Sequence, residues 1–148
     1  MNQDLSGKTA LITGATRGLG AAIAHTLAEH GAKVIGTATS STGADSISQA
    51  LAEFGGEGRV LDIGEVGSIE NLIADIEKEH GALAILVNNA GITRDNLLMR
   101  MKDSEWDDIM HINLKSAFRA SKAAMRGMMK ARHGRIINIT SVVGLMGN

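Results

Sequence analysis

The 148-residue chain has no cysteine, no proline and no tyrosine. Without cysteine there is no disulfide framework and no thiolate metal site, which fits a reducing compartment. A net charge of -1 gives no field that would draw the protein to nucleic acid or to a membrane surface. No apolar run approaches the length of a membrane span. The opening stretch from Met1 to Lys8 lacks the basic and apolar regions of a signal peptide, so a cytoplasmic protein is expected. What is present is ordinary for a globular domain: 44% hydrophobic and 21% charged residues. The length suits one domain with a real core and is too short for two, so residues 1–148 read as a single unit.

Strand-like and helix-like stretches alternate along the chain. Strands are expected at Lys8–Thr13, Lys33–Ala38, Arg59–Asp62, Ala84–Asn88 and Arg135–Thr140. Helices are expected at Arg17–His30, Gly43–Phe54 and Ser68–His80, with a long one from Asp103 or Ser104 to about Arg132. Gly31, Gly81 and Gly134 act as stops after three of them. This order predicts an α/β fold with a doubly wound parallel sheet covered on both faces. After the fifth strand only Ser141–Asn148 remain, with no helix to cover it. A bare apolar edge is an aggregation hazard, so the natural chain is expected to continue.

The most telling segment is Thr13-Gly14-Ala15-Thr16-Arg17-Gly18-Leu19-Gly20, between the first strand and the first helix. Glycines there let the backbone approach a bulky anion, while free N–H groups and the positive helix end face it. In a strand–turn–helix setting the usual guest is a dinucleotide pyrophosphate; tight packing alone is the plainer alternative. NAD-binding domains carry an acid about 20 residues further on, for the ribose 2′-hydroxyl. Here the stretch is Thr37-Ala38-Thr39-Ser40-Ser41, with hydroxyls in place of a carboxylate and with Arg17 to supply positive charge. That combination favours NADP.

Asp62 ends the third strand and could accept from an adenine amino group, with Ile63 against the ring. A loop acid with no ligand is the alternative. Asn88-Asn89-Ala90-Gly91 follows the fourth strand, where amides can tie strands together and small residues admit a ring or ribose. Asn113 stands inside the long helix, an unfavourable place for asparagine. It either bends the helix through local bonds or holds a water at a site. Ser141 lies just past the fifth strand, at the same carboxyl edge as the glycine turn.

Taken together, the Thr-Gly-x3-Gly-x-Gly turn, Asn88-Asn89-Ala90-Gly91, Asn113 and Ser141 resemble the short-chain dehydrogenase/reductases, in order and in spacing, over the whole chain. Gly36–Ser40, Gly91–Met101 and Lys130–Ile137 are further similar to the bacterial 3-oxoacyl-acyl-carrier-protein reductases of fatty-acid synthesis. The resemblance implies reduction of a ketone by hydride from NADPH. It places Gly14, Ala15, Thr16, Arg17, Gly18, Leu19 and Gly20 along the phosphates and Thr39 near the adenosine phosphate. Asp62 and Ile63 fall at adenine, and Asn89, Ala90 and Gly91 beside the ribose. It makes Ser141 the hydrogen-bond donor that polarises the substrate carbonyl and gives Asn113 a water in a proton relay.

The same resemblance calls for a tyrosine acid, and a lysine four residues later, some dozen residues past Ser141. The sequence ends at Asn148, so these 148 residues by themselves are expected to bind cofactor weakly and not to turn over. A reductase for another ketone or alcohol, or a nucleotide-binding module without chemistry, remains open at this point. Met110, Met125, Met128 and Met129 suit either core packing or a subunit contact, and the resemblance implies a homotetramer. Arg126, Lys130, Arg132, His133 and Arg135 cluster where the long helix ends. They can serve the helix dipole or dock an acidic acyl carrier protein, with Arg132 the first candidate.

Overall fold

A computed structural model describes residues 4–147; Met1–Gln3 of the opening stretch and Asn148 lie outside the described residues. Five strands form one parallel sheet: β1 (Thr9–Ile12), β2 (Lys33–Ala38), β3 (Glu57–Val60), β4 (Leu83–Asn88) and β5 (Arg135–Asn138). Their spatial order is β3-β2-β1-β4-β5. Helices α1 (Gly18–Glu29), α2 (Ser41–Ala50) and α3 (Ser68–His80) alternate with the strands. The long helix between β4 and β5 has three parts: α4 (Asp103–Ile109), a π-helical segment (Met110–Lys115) and α5 (Ser116–Ala131). The expected doubly wound α/β fold is the observed one.

Alternation along the strands builds two cores. Ala10 and Ile12 of β1 point to one face, where they join Ala24 and Ala28 of α1 and Ile47 of α2. Leu11 points to the other, among Ile69, Ile73 and Ile76 of α3 and Ala120, Ala124 and Met128 of α5. In α5 these residues recur every four positions, so one stripe of the helix meets the sheet. Small alanines on α1 and α5 let both helices sit close. Leu83 and Leu86 share the α3/α5 core although they are three positions apart. A register shift between β1 and β4 at Thr9/Ala10 accommodates this departure from strict alternation.

Several boundaries differ from expectation. β3 starts two residues early and leaves the ladder before Asp62, though Leu61 N–H still reaches Ala38 O at 2.8 Å. α2 begins at Ser41 because Ser40 caps it, accepting from Gly43 N–H at 3.2 Å. Its expected tail at Ala52–Phe54 winds as a 3-10 turn. Lys102, not Asp103 or Ser104, precedes α4, and Glu105 Oε2 accepts its N–H at 2.8 Å. β5 stops at Asn138, and one helical turn, α6 (Val143–Met146), follows where none was expected. That turn leaves Ile136 and Ile137 of β5 37% and 45% exposed, so the edge strand is as bare as anticipated.

One ion pair fastens α3 to α5. Arg119 Nε and Nη2 donate to the two carboxylate oxygens of Glu70 at 2.8 and 2.7 Å. The hydrogen bonds from Arg119 hold the Glu70 carboxyl below its usual value. A depressed carboxylate stabilises the fold fully above its unfolded pKa and loses that contribution as pH falls through the folded value. Glu70→Gln is therefore expected to lower the melting temperature at neutral pH and to have little further effect once the medium is acid enough to protonate Glu70. Acid titrations of both proteins followed by circular dichroism check this. Ile76→Ala, at a side chain with no exposure, is expected to cost about 2–5 kcal/mol in urea unfolding. Val66→Ala, at an 85% exposed one, is expected to stay within about 0.5 kcal/mol.

Candidate functional site

The chain runs outward from β1 to β2 and β3, then returns to lay β4 on the other side of β1. Loops leaving β1 and β4 therefore diverge, and a crevice opens at the carboxyl ends of these strands. A cleft of about 490 Å³ lies there, with Thr13, Asn88, Ala90, Ser121, Asn138 and Thr140 among its walls. A smaller pocket adjoins it, between Gly14, Thr39, Asp62, Gly91 and Ile112.

Thr13 organises the mouth. Its buried hydroxyl oxygen accepts the N–H groups of Asn89 and Ala90, both at 3.0 Å, and donates to Val87 O at 3.4 Å. The Asn89 amide returns the bond, donating to Thr13 O at 3.0 Å and Gly14 O at 2.9 Å. On the other side Gly14 N–H donates to Thr37 Oγ1 and Ala15 N–H to Thr37 O, at 3.1 and 2.9 Å. The turn after β1 is thus fixed to both neighbouring strands before any ligand arrives.

Two glycines are required there by space. Gly14 has φ +69°, and an added Cβ would lie 3.0 Å from Ala90 Cα. At Gly20 a Cβ would fall 2.1 Å from Gly14 O and 2.5 Å from Asn89 Nδ2. The turn consequently folds back on the start of α1 with no side chain between them. Arg17, expected inside the helix, is instead its extended N-cap residue, and no side chain caps the helix. The first-turn N–H groups of Gly18, Leu19 and Gly20 therefore have no intrahelical acceptor. Leu19 is 66% exposed beside them, and the Arg17 side chain is also exposed.

The far wall is the loop after β3. Asp62 Oδ1 accepts Gly64 N–H at 2.9 Å, a tight turn that presents Ile63 to the pocket. Across from it, Thr39 stands exposed at the end of β2. Asn113 sits in the π segment, a rare winding frequently found at functional sites. Its Oδ1 accepts Ile92 N–H and its Nδ2 donates to Ile92 O, both at 2.8 Å. Both ends of this amide are engaged by one residue of the loop after β4, and the helix is rewound rather than simply bent. Ser141 lies beyond β5 at the same edge of the sheet, where its Oγ accepts Val143 N–H at 3.3 Å.

The expected strand-tying role of Asn88 is observed in a polar cluster that joins β4 to β5, whose other members, Asn138 and Ser121, the sequence reading did not single out. Asn88 Nδ2 donates to Asn138 Oδ1 at 2.8 Å and to Ser121 Oγ at 3.4 Å. Asn88 and Asn138 are register partners, each closing an apolar strand. An asparagine at the end of each of two apolar runs was the available signal. Arg132, by contrast, is far from this mouth, at the end of α5, and is the one non-glycine described residue with positive φ, +52°.

A parallel sheet with a glycine turn at its switch point and an uncapped helix behind it defines a doubly wound α/β domain, a class that takes ligands at the carboxyl ends of its strands. The chain belongs to the short-chain dehydrogenase family, whose sequence profile it matches over residues 8–148. It is 62% identical over 145 residues to a protein from Escherichia coli strain K12 named 3-oxoacyl-[acyl-carrier-protein] reductase FabG. Proteins of the same name from Vibrio harveyi and Haemophilus influenzae are 61% and 59% identical. These alignments take in 97–98% of this chain and 59% of each relative, so the chain spans somewhat over half their length.

Thr13→Val keeps the shape of the side chain and removes the acceptor for Asn89 and Ala90 N–H. Each orphaned donor is expected to cost about 1–3 kcal/mol. The urea midpoint of the variant against the parent measures the loss.

Proposed function

We propose that this chain is the NADP-binding portion of a single-domain reductase. The intact enzyme would reduce 3-oxoacyl groups on acyl carrier protein to 3-hydroxyacyl groups, using NADPH, in cytoplasmic fatty-acid synthesis. The observation that carries this reading is the uncapped first turn of α1, held open against β4 by Thr13 and Asn89. The names of the relatives supply the substrate class. No described helix is long and apolar enough to cross a membrane.

The residues present fit a dinucleotide. Space that a Cβ would fill at Gly14 and Gly20 is left clear for the close approach of the turn to α1 and Ala90. The N–H groups of Gly18, Leu19 and Gly20 would take the pyrophosphate, with Ala15 and Thr16 shaping the turn. Arg17 and Thr39 would meet the 2′-phosphate, where no carboxylate opposes it; Ser40 has given its oxygen to the α2 cap and keeps a proton to donate. Asp62 and Ile63 would flank adenine. Ala90 and Gly91 would border the ribose, with Asn89 acting through the backbone it holds. When bound, the nicotinamide supplies hydride to the ketone carbon. Ser141 would donate to the ketone oxygen and favour the charge that develops there. Asn113 would hold the π segment against Ile92, so that a water can be placed at the edge of the cleft.

Two surfaces belong to the same reading. Trp106, Met110, Leu114, Phe118, Met125 and Met129 are exposed along α4, the π segment and α5, whereas Met128 is buried. An apolar face of this kind suits the subunit contact of a homotetramer. Arg132 would dock the acidic carrier protein. An arginine held at φ +52°, where glycine is favoured, points to selection for its side chain over local ease.

With full-length protein and an acetoacetyl thioester, NADPH oxidation is expected, with NADH poorer by about tenfold or more, the worth of a charge-assisted bond to the 2′-phosphate. No NADPH oxidation would refute the activity. Arg132→Glu should depress use of carrier-bound substrate more than use of a small thioester; equal losses would remove the docking role. Light scattering of a monomer would remove the tetramer.

A further inference from the structure

The smaller pocket has two walls that no strand pairing joins: the loop at Asp62–Gly64 and the loop at Ala90–Ile92. The π segment spans them. At one end His111 Nε2 lies 3.2 Å from Gly64 O. At the other, Asn113 makes its two bonds to Ile92. Ile112 stands between them and lines the pocket itself. A carbonyl oxygen only accepts, so His111 Nε2 carries the proton in this contact.

From outside, the Asp62–Gly64 loop receives few other hydrogen bonds, while Ile63 is anchored by packing in the α3/α5 core. Ser68 Oγ reaches Asp62 O and Glu65 O from the adjoining helix start. Arg119 Nη1 reaches Glu65 O at 3.4 Å. Among the described residues only His111 holds the carbonyl of Gly64, whose own N–H closes the turn on Asp62. That turn holds the Asp62 carboxylate, while core packing fixes the Ile63 side chain next to it.

We infer that His111 is a positioning residue for the adenosine half of the dinucleotide: it holds Gly64 and thereby sets Asp62, beside Ile63, against the base. This inference rests on the reading of the cleft as a dinucleotide site. Asn113 serves the opposite wall through Ile92, so the two halves of the pocket are set from one segment by different side chains. Loss of His111 therefore acts on one half of the ligand and spares the other.

The test uses full-length protein and two probes, 2′,5′-ADP for the adenosine half and reduced nicotinamide mononucleotide for the other, with calorimetric titration. His111→Leu is expected to weaken 2′,5′-ADP by about 3- to 10-fold, the worth of one neutral hydrogen bond in placing a wall. Binding of the mononucleotide should change less than about twofold on the same scale. His111→Gln, whose amide donates at similar reach, should recover most of the 2′,5′-ADP affinity. Unchanged 2′,5′-ADP binding in His111→Leu overturns the inference. So do equal losses for both probes, or failure of His111→Gln to recover, since a general loosening of the fold would give either. If the parent protein binds neither probe, the dinucleotide reading itself falls and this inference with it.

Discussion

The hydroxyl of Thr13 is the point on which the site depends. β1 and β4 are neighbours, and the loops leaving them must part for a crevice to exist. Parting exposes the N–H groups of Asn89 and Ala90, which no strand can satisfy at that place. Thr13 accepts both, and Asn89 repays the turn by donating to Thr13 O and Gly14 O. Because these groups are partly buried, their mutual satisfaction makes the geometry stiff. The mouth is consequently preformed, and a ligand need not organise it.

Everything around that knot follows from close approach. Gly20 lies where a Cβ would strike Gly14 O, so α1 begins directly behind the turn. The helix start is left uncapped directly behind that turn, with free N–H groups and the positive dipole end. On the opposite side the long helix changes winding to bring His111, Ile112 and Asn113 to the pocket together. The sheet supplies stiffness, the glycines supply nearness, and the π segment ties together loops that the sheet does not join.

The order of strands and helices was legible because both faces of the sheet are buried. Apolar runs such as Ala84–Asn88, one residue short of the observed β4, and the stripe Ile69, Ile73, Ile76 can be read without coordinates. Ends were less legible, since capping by Ser40 and pairing of Glu57 with Ile35 are decided by neighbours rather than by propensity. At the site, the glycine turn and the residues at strand ends were visible as motifs. What could not be read was the destination of side chains. Asn113 is conspicuous as an unfavourable residue inside a helix, yet nothing local says that both ends of its amide meet Ile92. The Asn88–Asn138 contact joins residues 50 apart in the chain, a pairing fixed by strand order alone.

In the proposed function the amide-lined mouth between β1 and β4 receives a phosphate-bearing dinucleotide. Amide chemical-shift mapping of the full-length protein during titration with NADPH tests it most directly. Saturable shifts are expected, centred on Gly14–Gly20, Thr39, Asp62–Gly64 and Ala90–Ile92, with the amides of Glu57, Glu79 and His80 at the other end of the sheet unmoved. Shifts confined elsewhere, or none at saturating NADPH in a folded protein, would contradict it.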